Sequence, residues 1–135
     1  MREKWGQSFI EAGVDAIIHP ALPTPALPHG ISGDFTAAFS YSFLANMLMW
    51  PAGVVPVTTV KENEQQYRME DIPFDQRDSF AKLANKVMVG SAGLPVSLSI
   101  MTPLFQDEKC LRVMKEVEGL AKFDKEPVAY KEVAY

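Results

Sequence analysis

Few side chains in this sequence have the type and spacing to do chemistry. Gly90-Ser91-Ala92-Gly93 is the one local stretch that resembles a presented nucleophile, a hydroxyl held in a glycine turn. A nucleophile elbow requires glycine two residues before the serine, with a strand leading in and a helix leading out. Val89 occupies that position, and the predicted order is reversed, so Ser91 reads as a turn residue. His19 and His29 are each competent as a general base, but the sequence sets no serine, cysteine or carboxylate to pair with either. His19, between Ile18 and Pro20, reads as a loop histidine with a satisfied hydrogen bond. Asp15 and Asp34 have no partner at metal-ligand spacing, and no glycine-rich phosphate loop occurs. The single cysteine, Cys110, lies on the apolar side of a predicted helix, where a thiol is buried and inert. The residues therefore assign no catalytic set, no metal and no cofactor.

The bulk numbers agree with that restraint. At 135 residues the chain is at most one ordinary domain. With 47% hydrophobic and 22% charged residues it is globular in composition, not disordered. A net charge of −4, with basic residues scattered among acids, excludes a nucleic-acid partner, which needs clustered Lys and Arg. Between Asp34 and Lys61 no charged residue occurs, a length that would span a bilayer. Asn46, Pro51, Gly53 and Pro56 interrupt it, so a buried helix followed by a buried strand is the reading. The N-terminal segment, with Glu3 and Glu11 and no long apolar run, is neither a signal nor a transit peptide.

The elements that would position these residues follow from periodicity. A short helix is expected over 2–12, closed by Gly13, then a strand over 14–18 that stops at His19-Pro20. Four prolines from Pro20 to Pro28 predict a stiff loop, packed because of its leucines and alanines. A helix over 35–49, apolar nearly all round, precedes a strand over 53–60. Residues 61–78 read as an exposed polar excursion, followed by a helix over 76–89 and a strand over 93–100. A final amphipathic helix over 107–122 has Cys110, Met114, Val117 and Ala121 on its core face, flanked by Leu111, Val113 and Leu120. Proline inside the matching phrases Ala52-Gly-Val-Val-Pro-Val57 and Ala92-Gly-Leu-Pro-Val96 predicts strand starts or bulges, where a missing amide hydrogen is tolerated. The alternation of helices and strands gives an α/β fold. Residues 124–135, repeating Val-Ala-Tyr, form a tail after a domain spanning 1–123.

Trp50-Pro-Ala-Gly-Val-Val-Pro-Val-Thr-Thr-Val60, Gly93-Leu-Pro-Val96 and Cys110-Leu-Arg-Val-Met-Lys-Glu-Val-Glu118 together resemble the C-terminal part of the fatty acid amide hydrolases, within the amidase-signature family. Gly13-Val-Asp-Ala-Ile-Ile-His-Pro20 and Tyr41-Ser-Phe-Leu-Ala-Asn46 fit the same pattern, and the resemblance covers residues 5–120. It implies a partial amidase-signature fold, a segment of a large mixed sheet flanked by helices. Family members use a Ser-Ser-Lys set in a glycine- and serine-rich signature that precedes the matched region, and this sequence contains no such signature. The resemblance carries over no catalytic residue. It does imply an acyl-channel wall at His19 and Leu22, where the family more often has a small hydroxyl residue in place of His19.

Three functions follow as expectations. The first is a non-catalytic, amidase-derived subunit that packs into a larger assembly, with other protein chains covering its open sheet edges and helix faces. The second is the C-terminal part of a split or cleaved serine amidase hydrolysing fatty acid amides, with Ser-Ser-Lys supplied by another chain and an acyl or lipid ligand in the channel. The third, a free-standing hydrolase, lacks a nucleophile. The sequence assigns no compartment; the resemblance implies only that family members are often membrane-associated.

Overall fold

Helices and strands alternate in the computed structural model of the chain, which describes residues 2–68, 70, 72–73 and 78–124. The order is α1 (Arg2–Ala12), β1 (Ile17–Pro20), α2 (Ser40–Leu48), β2 (Ala52–Thr59), α3 (Ser79–Met88), β3 (Pro95–Met101) and α4 (Asp107–Ala121). This is the α/β succession that the sequence predicts. Apart from Asp124, the predicted tail lies outside the described residues.

The three strands form one sheet in the order β1-β3-β2, antiparallel throughout. The two prolines within the strand phrases stand where a missing donor costs least. Pro95 is the first residue of β3, and Pro56 adjoins the register shift between Pro56 and Thr58. The register also fixes which way each amide faces. Thr102 N donates to Pro51 O, so Pro51 and Thr102 form a hydrogen-bonded pair. Antiparallel alternation then turns Gly53 and Val55 toward β3, and Ala52, Val54 and Pro56 toward the outer edge. On the other side Ala21 N donates to Ser97 O, which leaves Ile18 and Pro20 facing outward from β1. Each edge strand thus carries a proline at an outward position.

One face of the sheet is covered by α4. Ile100, Val55 and Cys110 form a buried cluster with Val113, Met114 and Val117 against it. Gly53 permits that approach, because a Cβ there would overlap the Sδ of Met114. On the opposite face Phe9, Leu48, Trp50 and Met101 are buried together, with Phe9 and Trp50 edge to face at 4.8 Å. A third cluster joins α3 to the segment before α2 through Phe35, Ala38, Ala84 and Val87, with Leu27 of the proline-rich loop packed against it and Phe35 stacked on Phe80.

Several expectations need correction. β1 begins at Ile17 and runs to Pro20, so His19 is a strand residue opposite Ser99 and not a loop histidine. The predicted helix over 35–49 is a 3-10 turn, Thr36–Phe39, followed by α2, with Met49 left-handed at its end. Phe39 at the N-cap supplies no side-chain acceptor to start the helix earlier. α3 starts at Ser79, where the Asp78 carboxylate accepts from Ala81 N. Residues 76–77 of its predicted span lie outside the described residues. The polar excursion is anchored to the body: Tyr67 N donates to Asn85 Oδ1, the Tyr67 hydroxyl donates to Pro23 O, and Ala92 N donates to Gln65 Oε1. On α4, Leu111 and Leu120 are largely exposed, so they do not flank its core face as predicted. The proline-rich loop is packed as expected, with Thr24 and Pro25 buried.

Candidate functional site

The end of β1 leads directly into the stiff loop, and together they place Leu22 above the sheet. Leu22 lines a groove of about 400 Å³ between that loop, the start of α2 and the strands β2 and β3. Phe39, Val54, Pro95 and Val96 make most of its wall apolar, while Thr24, Ser42 and Ser97 contribute hydroxyls. Such a lining fits an apolar chain carrying a few polar groups. The Thr24 hydroxyl is buried and finds no hydrogen-bond partner among the described residues.

His19 shares the sheet face with Ser99 and Val54 but does not line the groove. Its ring is stacked on Tyr41, 6.2 Å between centroids and 16° between planes. The Nδ1 atom lies 2.8 Å from Pro20 O, and since that carbonyl only accepts, Nδ1 carries the proton. The Nε2 atom is buried and has no hydrogen-bond partner among the described residues, so half of the expected satisfaction is missing. Of the two residues predicted for a channel wall, Leu22 faces a groove and His19 stands beside it under an aromatic ring.

The remaining candidates are structural. Ser91 sits in a buried turn after α3, its amide donating to Met88 O and its carbonyl accepting from Leu94 N. That is turn chemistry, as the sequence suggests, and its hydroxyl has neither base nor other partner among the described residues. His29 is exposed in the loop. The Cys110 thiol donates to Ile100 O, and burial pushes its pKa up, away from a reactive thiolate. Asp15 is paired with Lys109 at 2.9 Å, and that hydrogen bond and charge hold its carboxyl below the usual range. No group of three His, Cys, Asp or Glu among the described residues is placed to hold a metal ion. No helix there is long and apolar enough to cross a membrane. Acyl transfer needs a nucleophile hydrogen-bonded to a base; His19 and Ser99 stand opposite each other across β1 and β3, but Nδ1 of His19 meets Pro20 O and its Nε2 has no partner among the described residues.

Sequence reasoning missed two features. A larger groove, about 630 Å³, lies between α1 and the start of α4, lined by Phe9, Ile10, Trp50, Leu104 and Gln106 among others. It is away from His19 and Leu22 and has no motif that would announce it. The stacking of Tyr41 on His19 joins two elements, and no local pattern encodes it.

With this geometry in hand, known proteins place the chain. The family model described as Amidase matches residues 1–111. Fatty-acid amide hydrolase 1 of Sus scrofa is 41% identical over 114 residues, covering 84% of this chain and 19% of that protein. Fatty acid amide hydrolase 1 of Caenorhabditis elegans is 31% identical over 117 residues, 87% of this chain and 20% of that one. A solved structure of a fatty acid amide hydrolase superposes with a TM-score of 0.74 at 23% identity. It covers 91% of this chain and 21% of the other, and shows a shared fold. The chain spans about a fifth of the length of these relatives.

Proposed function

The chain belongs to the amidase family, and from that premise we propose that it works as a non-catalytic part of a larger protein body, contributing sheet, helices and a groove wall by packing. The observation that carries this reading is the uncovered apolar surface. Phe43 and Met47 stand exposed on α2 and Met49 just after it, and Val54 is 55% exposed on the next strand. Fully burying one side chain of that size is worth about 1.5–3 kcal/mol, so a partner covering this face gains several such contributions. No Ser-Ser-Lys signature occurs in the sequence, which supports a contribution made by packing.

A second reading is favoured by the 41% identity to a fatty-acid amide hydrolase and by the groove at Leu22. In it, the chain is the C-terminal part of a split or cleaved serine amidase acting on fatty acid amides, with Ser-Ser-Lys on another polypeptide. The groove then holds the acyl chain, with Leu22 on its wall and the hydroxyls of Ser42 and Ser97 as its polar groups, while His19 stands beside it. Treating the chain, together with whatever holds it in its own cells, with a fluorophosphonate probe separates the two. No label on any member of the complex supports the architectural part. Label on a partner with a Gly-Gly-Ser-Ser-type segment supports the split enzyme. Label on Ser91 overturns both.

A further inference from the structure

We propose that Tyr67 is a positioning residue for the groove at Leu22: through its hydrogen bond to Pro23 O it sets how wide a chain that groove admits. The inference rests on the reading of the groove as the seat of an acyl chain, and adds what fixes its width. Tyr67 does not line the groove itself and acts through the loop.

The loop is the groove's least supported wall. Leu22, Thr24, Pro25 and Ala26 form it. Before them the last strand-like bond runs from Ala21 N to Ser97 O, and after them a turn bond runs from Ile31 N to Pro28 O. Proline at 23 and 25 removes two backbone donors from the stretch between. Among the described residues, the segment 22–27 makes a single hydrogen bond, in which the Tyr67 hydroxyl donates to Pro23 O. The Pro23 carbonyl belongs to the planar peptide that leads into Thr24, so holding it fixes the wall on both sides of Pro23. Open volume lies behind that wall. Leu22, Thr24 and Pro25 also line a second groove, of about 260 Å³, and Tyr67 stands in it. Untied, the loop can shift into this volume, and the shift widens the groove in front.

Tyr67 is itself firmly seated. Its backbone amide donates to Asn85 Oδ1 on α3, and its ring packs against the cluster of Phe35, Ala38, Ala84 and Val87. The tie therefore runs from a helix, through a seated ring, to a loop segment with no other polar fastening. A tyrosine suits this task because it carries a donor across on a rigid ring with two side-chain torsions. The same excursion has another fastening, Ala92 N to Gln65 Oε1, which leads to the turn before β3 and not to the loop. The two ties are thus separable.

Titration calorimetry of the full chain, as isolated from its cells, with palmitate (a straight chain) and phytanate (a methyl-branched one) tests this. The unaltered chain is expected to favour palmitate at least about tenfold, as a pocket does when extra methyl groups do not fit. Leu22→Trp, which fills the groove, is expected to abolish the binding of both. Tyr67→Phe is expected to bring the ratio within about threefold, through tighter binding of phytanate, while Gln65→Ala leaves it unchanged. A ratio unaltered in Tyr67→Phe overturns the positioning role and leaves the groove reading standing. An equal fall in Gln65→Ala overturns it as well, because any loosening of the excursion would then suffice. An unaltered chain that binds both acids alike overturns the width limit. Absence of palmitate binding, or palmitate binding indifferent to Leu22→Trp, overturns the groove reading and the inference with it.

Discussion

The two faces of the sheet differ in how far the chain completes them. Under α4, Ile100, Val55 and Cys110 are buried against Val113, Met114 and Val117, and the chain supplies both sides of the contact. This coverage ends at β1, where Ile18 is half-exposed. On the other face α2 buries Leu48 against Phe9, Trp50 and Met101, yet Tyr41, Phe43 and Met47 of the same helix remain exposed. A helix apolar nearly all round is suited to burial on several sides, and here the chain covers one. The contrast separates residues that hold this chain together from residues available to something else.

The largest expected effect lies under α4. Ile100→Ala removes a fully buried side chain from a filled cluster and is expected to cost about 2–5 kcal/mol in denaturant unfolding. A cost no larger than that of a surface change would break the comparison. Gly53→Ala drives a methyl group into the Met114 thioether, the flexible end of that side chain, and is expected to displace Met114 at a cost of about 1 kcal/mol. If it stabilises instead, α4 is not seated as described.

Tyr67→Phe sharpens the comparison from outside the sheet. It removes the hydroxyl that ties the excursion to Pro23 O, for an expected loss of about 1 kcal/mol. Burial raises the Tyr67 pKa above 10.0. A phenol whose folded pKa is raised contributes stability that is present below its unfolded value and lost as pH rises beyond it. Stability should therefore fall above pH 10, and the Phe variant should show a shallower fall in a pH series of thermal unfolding.

The smallest effect on the chain's own stability is expected on the exposed face. Phe43→Ser with Met47→Ser should change unfolding by no more than about 0.5 kcal/mol while abolishing recovery of the chain in its complex. A strongly destabilised variant would move α2 into the self-sufficient region. Asp15→Asn tests an exposed ion pair between these regions. The depressed Asp15 carboxyl contributes above 3.8 and loses that contribution as pH falls below it, so the variant should flatten only the acid end of the profile.

How much of this was legible depended on the range of the forces involved. The helix under β2 and β3 was readable from the 3.6-residue spacing of Cys110, Met114 and Val117, because one face is buried and the other is wet. The strand prolines were readable because a missing amide hydrogen has few tolerated places, and Pro95 and Pro56 occupy two of them. His19 was misjudged as a loop residue because β1 is four residues long and is defined by its pairing with β3, 80 positions away at Ser99. Leu111 and Leu120 read as core because a leucine's hydrophobicity does not by itself say whether it is buried. The resemblance implied a channel wall at His19 and Leu22, and only Leu22 lines a groove. The larger one beside α1, assembled from distant segments, had no sequence signal.

The account turns on whether another polypeptide covers the α2 face. Native mass spectrometry of the chain as isolated from its own cells, followed by thermal unfolding of the same sample, measures this directly. The account predicts a complex heavier than 15.0 kDa that holds a second polypeptide, with the chain losing its cooperative transition when that polypeptide is stripped away. A monodisperse 15.0 kDa monomer that unfolds in one cooperative step would contradict it.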